Sequence, residues 1–494
     1  MSSTPLLLAL DLGTTNCKAA VFDLAGRDVA RAYEAYPTHL RHGGAYEQRP
    51  RDWIAAATNV IRDVSSSLKA RVHTLVGLSV TAWGPGLVLV SPTGEVLNDY
   101  SPTWQDFRSD EYGRRLIRRC GPAWIGGGMP LSGFPAKLAW ALDQWPSSAS
   151  ARMALGVKDY LVYWLTGRYV TEPSSGPFGP VWREEVFEAV GWDLDRLPPV
   201  RSSLEVGGLL NRGRAVELTL PPGLPVVMGL NDGASATLGA GSCRVGDTVV
   251  SLGTNGVLRV VVASEPDPQR CLDRSMFRYP FVTSRWITGG FALSGGDSLR
   301  WLVHALGAAG EKGGADYETA LEDAASVSPG CDGVVFLPYL IGRGAPLANP
   351  RASGSYTGLR SMHGRGHLVR AVLEGVACAL QDVRLAVDEV ATDAGDVVLS
   401  GGGGKASLWQ EVIAGVFGRP VRAPGGDSAL GAAIVAATAL GYHESIERAV
   451  ESMVPAVERV EPPDDRSAYL TCYSRFQDLQ RRIYGDEMSS PSYA

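Results

Sequence analysis

The stretch "LLLALDLGTTNCKAAVFD" (residues 6–23) decides how this chain is read. An apolar run carries Asp11 near its end, Gly13-Thr14-Thr15 follows, and a second run starts mixed and turns apolar. That order predicts strand, tight turn, strand. It returns at "TVVSLGTNGVLRVVV" (248–262), where Ser251 stands in place of Asp11. Each copy heads a similar succession of segments. After the first come a strand through Ala35, a helix starting at Pro50 with Trp53, Ile54, Ala57, Val60, Ile61 and Val64 at helical spacing, and the strand-like "HTLVGLSVTAWG". After the second come "RWITGG", helices through "DSLRWLVHAL" and "HLVRAVLEGVACALQDVRLAVDEV", the buried strand "DVVLSGGGG" and the alanine-rich "SALGAAIVAATALG". The prediction is an α/β fold of two duplicated domains, 1–244 and 245–440, around a shared cleft. A helical segment, 441–494, would pack back on the core and fray into "MSSPSYA".

Composition narrows the class. With 494 residues, 45% hydrophobic and 20% charged, the chain is globular and too long for one ordinary core. A net charge of −6 without long Lys/Arg runs argues against nucleic acid or an anionic membrane as partner. Seven cysteines without C-x-x-C spacing argue against a disulfide framework or zinc site and for a reducing, cytoplasmic setting. The start lacks a basic n-region and is not read as a signal peptide, and no stretch is apolar enough to span a membrane. His363 and His367 stand four apart, but Gly364 and Gly366 argue against a helix there, so the histidines are read as structural.

A Gly-Thr turn after a buried strand offers successive backbone N–H groups with little side chain in the way, a concavity suited to anionic oxygen. Two such turns from two domains could grip a polyphosphate from opposite sides. An acid beside phosphate then calls for a cation between them, and Mg²⁺ binds through one or two carboxylates plus phosphate oxygens. Asp11 fits that role, and the second turn needs no metal ligand. The competing reading makes both turns plain hairpins. "GGGGKAS" (401–407) lacks Walker spacing; its glycines would let an adenine or ribose lie against the backbone. Asp232 in "GLNDGASATLGAG" follows a buried strand and precedes a helix, where a cleft carboxylate can take a proton from an attacking hydroxyl or, alternatively, merely cap the helix. "PTWQDFRSD" (102–110) sets Trp104 beside Asp106 and Arg108, a polyol-binding combination or a salt-bridged surface turn.

These motifs, with "YEQRPRDW", "GGFALSGGDSLRWL" and "FLPYLIGRGAPLANPRASGSYTGL", together resemble the FGGY family of carbohydrate kinases, within the ribonuclease H-like (actin-like ATPase) superfamily. The resemblance runs from Leu6 to about Gly441. It implies two duplicated ribonuclease H-like domains and ATP-dependent phosphorylation of a sugar, polyol or sugar acid, with a homodimer as a possible assembly. It implies Asp232 as general base, Asp11 near Mg²⁺, and phosphates held by Gly13, Thr14, Thr15 and Lys18 with Gly253, Thr254 and Asn255. Gly296, Arg300, Gly402 and Gly403 would lie along the nucleotide. Trp83, Trp104, Asp106, Arg108 and Asn231 would surround the acceptor beside Asp232. The rival readings are an actin-like ATPase of non-metabolic role and a weakened sugar sensor.

Two departures bear on the acceptor. "AWGPG" (82–86) carries Trp83 where many xylulose kinases have glutamine, and "GRGAP" (342–346) carries Arg343 where an acid is usual. A cation at 343 would suit a carboxylated acceptor if it faced the cleft. The "NDGASATLGAG" stretch also resembles gluconate kinases more than xylulose kinases.

Overall fold

The computed structural model describes residues 4–41, 43–124, 131–175, 182–306, 315–389, 395–423 and 425–485. The frayed tail expected from 486 onward lies outside the described residues.

The first hairpin forms as expected. Strand β1 (Leu6–Leu12) pairs antiparallel with β2 (Asn16–Asp23), and β2 with β3 (Asp28–Ala35). Strand β4 (Leu75–Ala82) runs parallel to β1 on its other side. With β5 (Val206–Leu209) and β6 (Pro225–Val227) the sheet order is β5-β6-β4-β1-β2-β3. All seven residues of β1 are buried, which is why its sequence is a near-continuous apolar run rather than an alternation. Helix α1 (Pro50–Leu68) starts at its proline and buries Trp53, Ala57, Val60, Ile61 and Val64.

The second half repeats this scheme. β7 (Thr248–Leu252) and β8 (Gly256–Val262) form the hairpin, β9 (Phe277–Pro280) and β10 (Trp286–Ala292) extend it antiparallel, and β11 (Val397–Ser400) lies parallel to β7. β12 (Val421–Arg422) follows in parallel, and β13 (Arg459–Val460) closes the edge within a segment the sequence gives only as helical. The order β9-β10-β8-β7-β11-β12-β13 carries the same core arrangement as the first sheet: a parallel strand on one side of the hairpin and an antiparallel one on the other.

Helix α2 (Asp232–Gly239) leads from the first half to the second. In the second half α3 (Gly296–Ala305), α4 (Arg365–Asp388), α5 (Ser407–Phe417), α6 (Ser428–Ala439) and α7 (Ser467–Tyr484) cover the sheet. α4 begins at Arg365, two residues before the start read from the sequence, and His363 stays outside it, so the two histidines are not an i, i+4 pair on one helix. His367 Nδ1 accepts the Gly364 N–H at 3.2 Å, and a Cβ on Gly366 would stand 2.4 Å from the Asp323 carbonyl oxygen, so glycine permits a close approach there. α7 docks on α4 through Arg370, which donates to the Tyr469 hydroxyl, and through the Tyr473 hydroxyl, which donates to Asp382.

The two halves share one apolar core. Leu7 and Ala9 of β1 and Val257 and Val261 of β8 pack with residues of α2 and α6. Those helices approach through glycine: a Cβ on Gly239 would stand 1.8 Å from the Asp427 carbonyl oxygen, and one on Gly431 1.9 Å from that of Ser235. Backbone cannot swing aside as a side chain can, so Gly431→Ala is expected to cost about 1–3 kcal/mol by overpacking. Thermal unfolding checks this; an unchanged Tm would show that the helices tolerate wider spacing. Among the described residues no helix is long and apolar enough to cross a membrane.

Candidate active site

Both glycine turns open on one hollow. A cavity of about 340 Å³ is lined by Thr14 of the first turn and Asn255 of the second, with Asp232 between them. In each turn the glycine N–H closes the hairpin, Gly13 on the Asn16 carbonyl (2.9 Å) and Gly253 on the Asn255 carbonyl (3.1 Å). The next two N–H groups in each, of Thr14, Thr15, Thr254 and Asn255, have no acceptor among the described residues. These open donors are what an anionic oxygen needs.

The first turn is braced from behind. Gln48 Nε2 donates to the Thr14 carbonyl at 2.6 Å, and Trp53 Nε1 holds Gln48 Oε1 at 2.9 Å. Tyr36 donates to the Gly13 carbonyl, and Trp104 Nε1 to Thr14 Oγ1 at 3.1 Å. Gln48 and Tyr36 escape sequence reasoning because nothing local marks a glutamine or a tyrosine as a turn support.

Asp232 is the first residue of α2, while the N-cap is Asn231, whose Oδ1 accepts the Ala234 N–H at 2.8 Å. Asn231 therefore supplies the N-cap, and the Asp232 carboxylate, whose Oδ1 accepts the adjacent Gly233 N–H at 2.7 Å, borders the cavity. Burial pushes its pKa up to about 6, with the nearby Asp11 charge adding to the rise and Arg259 opposing it. Asn231, expected to touch the acceptor, lines the cavity but spends its amide inside the protein, on Ala234 and on the Ser174 carbonyl at 2.8 Å.

Asp11 lies behind the first turn. Its Oδ2 pairs with Lys18 Nζ at 2.9 Å and accepts from the Ser428 hydroxyl. Lys18 is corrected from a phosphate ligand to a buried brace. Its three ammonium protons meet Asp11, Asp427 (3.0 Å) and Ser428 (3.3 Å), so none remains for a nucleotide. Burial disfavours the charged lysine, but Asp11 and Asp427 outweigh it and hold its pKa above the ordinary value. Burial likewise works against ionised Asp427, yet Lys18 and Arg31 bring its pKa down to about 2.

On the acceptor side Trp83 and Trp104 line the cavity, and Trp83 packs edge-on against Trp53 with ring centres 5.6 Å apart. Asp106 and Arg108 do not line it. Arg108 forks onto Asp106 (2.6 and 3.0 Å), reaches Glu47 at 2.5 Å and lies over the Trp140 ring, so both charges are used within the wall. Arg343 also faces away. It is 4% exposed, lies 3.9 Å from Asp382 on α4 and 5.9 Å from the Tyr339 ring centre, and only its neighbours Gly344, Ala345 and Ala348 reach the cavity. The departure at 343 therefore gives no charge to the acceptor.

The remaining glycines gather at the end of β7. Gly295 and Gly296, at the start of α3, donate to the Thr254 and Gly253 carbonyls at 2.9 and 2.7 Å. A Cβ on Gly403 would stand 2.9 Å from that of Leu252, whereas one on Gly402 would meet open space. Arg300 is exposed on α3 and pairs with Asp297. Three charged groups the sequence does not single out belong to the site: Arg259 and Lys158 on its wall, and Glu172, which pairs with Lys158 at 3.4 Å.

Comparison with known proteins agrees with this architecture. The models for the N-terminal and C-terminal domains of the FGGY family of carbohydrate kinases match residues 6–239 and 248–440. The chain is 28% identical to a gluconokinase of Bacillus subtilis (strain 168), over 97% of this chain and 96% of that protein. It is 32% identical to a xylulose kinase of Streptomyces rubiginosus, over 94% and 95% of the two chains. The crystal structure of xylulose kinase from Rhodospirillum rubrum superposes with a TM-score of 0.87 at 28% identity, covering 98% of this chain and 99% of that one. With both halves matched in order and the duplicated fold in place, the chain belongs to the FGGY family of carbohydrate kinases.

Proposed function

We propose that this carbohydrate kinase transfers the γ-phosphoryl group of ATP, with Mg²⁺, to a hydroxyl of a small sugar, polyol or sugar acid. The observation that carries the reading is the single hollow in which two open glycine turns flank Asp232, with Asp11 close enough to raise its pKa.

The residues fit the donor. Four open N–H groups, two from each domain, suit a polyphosphate, and the glycine-rich end of β11 beside Leu252 leaves room for the rest of a nucleotide. Asp11, a single carboxylate close enough to Asp232 to raise its pKa, fits Mg²⁺ held through one carboxylate plus phosphate oxygens. Such an ion neutralises phosphate charge. Asp232 accepts the acceptor hydroxyl's proton as the oxygen attacks, and a pKa of about 6 leaves it ionised at neutral pH yet basic enough for the task. Trp83 and Trp104 offer apolar faces to the carbon chain of a polyol. Closure of the two domains would exclude water and limit hydrolysis of ATP.

An acceptor-dependent ADP-release assay over polyols, pentuloses, hexuloses and aldonates tests the reading. Release with at least one acceptor class, absent without acceptor, is expected. ATP turnover indifferent to every acceptor would overturn it.

A further inference from the structure

We propose that the acceptor is a sugar acid and that Arg259 is the specificity-determining residue holding its carboxylate. This deepens the kinase reading above and rests on it.

Arg259 lies on β8 two residues from Val257, so both point to the same side of the strand, and both line the cavity. The side chains that hydrogen-bond it are neutral. Nη1 donates to Ser251 Oγ at 2.9 Å, and the Tyr279 hydroxyl lies beside it. Among the described residues no carboxylate comes within ion-pair distance of its guanidinium. The other arginine and lysine charges near the site are answered: Lys158 by Glu172, Lys18 by Asp11 and Asp427, Arg108 by Asp106 and Glu47, Arg343 by Asp382. Arg259 stands out as the cation on the cavity wall that forms no ion pair among the described residues; the acid whose charge it feels is Asp232, beside it at the head of α2.

A half-buried guanidinium among Val257, Phe277 and Phe291 is costly unless an anion completes it. Ser251 takes Nη1 and the Tyr279 hydroxyl lies beside the group, while a planar guanidinium matches a carboxylate in bidentate fashion. Position favours the acceptor over the nucleotide as source of that anion. Ser251 sits two residues deeper in β7 than Gly253, which places the guanidinium about 7 Å below the second phosphate-binding turn. It is also next to the base: a Cβ on Gly233 would stand 3.2 Å from Arg259 Nε. A hydroxy acid could therefore reach Asp232 with a hydroxyl while its carboxylate lies on Arg259. Domain closure would couple recognition to chemistry, since Arg259 belongs to the second half and Asp232 to the first.

Steady-state kinetics with gluconate and with glucitol, its uncharged counterpart, test the assignment. The wild type is expected to prefer gluconate by about 10²-fold in kcat/KM, the worth of a bidentate charged pair. In Arg259→Met that preference should collapse to within about threefold, through a higher KM for gluconate rather than a lower kcat, and Arg259→Lys should restore part of it. A wild type indifferent to the carboxylate overturns the proposal. So does an Arg259→Met variant whose kcat falls equally with both acceptors, which would assign the cation to the transferring phosphoryl group instead. Calorimetric titration of the wild type with each compound needs no variant, so it decides the matter if Arg259→Met fails to fold. It also separates the two claims: acid-selective binding without ADP release would defeat the kinase reading and leave the carboxylate site standing.

Discussion

Replacing Asp232 with Asn is expected to lower kcat by about 10²–10⁴-fold, the range for losing a general base, while ATP binding stays within a few-fold. The substitution keeps shape and volume, Asn231 supplies the cap of α2, and an amide oxygen can still accept the Gly233 N–H that Asp232 Oδ1 takes at 2.7 Å. The loss therefore reports on the proton acceptor rather than on the helix. The pH profile gives a second reading. Burial, reinforced by the Asp11 charge, raises the Asp232 pKa to about 6. The ionised form accepts the proton, so kcat/KM of the wild type should fall as pH drops through about 6. In Asp232→Asn that limb should vanish from the residual activity. Normal turnover by the variant would remove Asp232 from the mechanism, and an acid limb that survived in it would assign that titration to another group.

The second large effect is structural. Lys158 and Glu172 form an ion pair whose side chains are 1% and 0% exposed, directly under the acceptor cavity. Lys158 also donates to the Met228 carbonyl at 2.7 Å, while Glu172 accepts from the Ser174 amide (2.9 Å) and from the Ser174 and Ser203 hydroxyls (both 2.7 Å). Ser174 in turn takes the Asn231 amide at 2.9 Å, so the chain of contacts ends at the residue that caps α2 and precedes Asp232. Lys158→Met removes one charge and leaves the other buried. The expected cost is about 3–5 kcal/mol, an apparent Tm lower by about 6–20 °C, with kcat reduced as Asn231 loses its anchor. Scanning calorimetry measures this directly. Lys158→Met combined with Glu172→Leu should regain part of the lost stability: it removes the stranded charge but leaves the Ser174 amide and the Ser174 and Ser203 hydroxyls without their acceptor. A single substitution costing under about 1 kcal/mol would mean that water reaches the pair.

Much of the site was legible because its signals are local. Glycine in a turn, an apolar run that ends at an acid, and an aspartate between a buried strand and a helix are each decided within a dozen residues. The two hairpins, α1 with its proline start, and the placing of Asp232 at the cavity follow from that. The aromatic wall of Trp83 and Trp104 is found on the same basis. The start of α4 falls two residues earlier than its sequence reading because helix propensity counts Gly366 against a helix but does not register a His367 cap or a backbone from elsewhere that needs the space.

Charges were the other failure. Lys18 and Arg343 each sit in motifs that imply ligand contact, yet each is neutralised within the protein, Lys18 by an acid 409 residues further along the chain. Arg259 carries no motif yet lines the cavity. The sequence by itself determined the duplicated α/β plan, the two phosphate-type turns and the candidate base, since backbone preference and apolar periodicity act between neighbours in the chain. Only the tertiary structure decided which charges remain available to a ligand. Coulomb energy falls with separation and with the dielectric between the groups, so it depends on which distant side chain arrives within a few ångströms, and sheet register and helix docking set that distance.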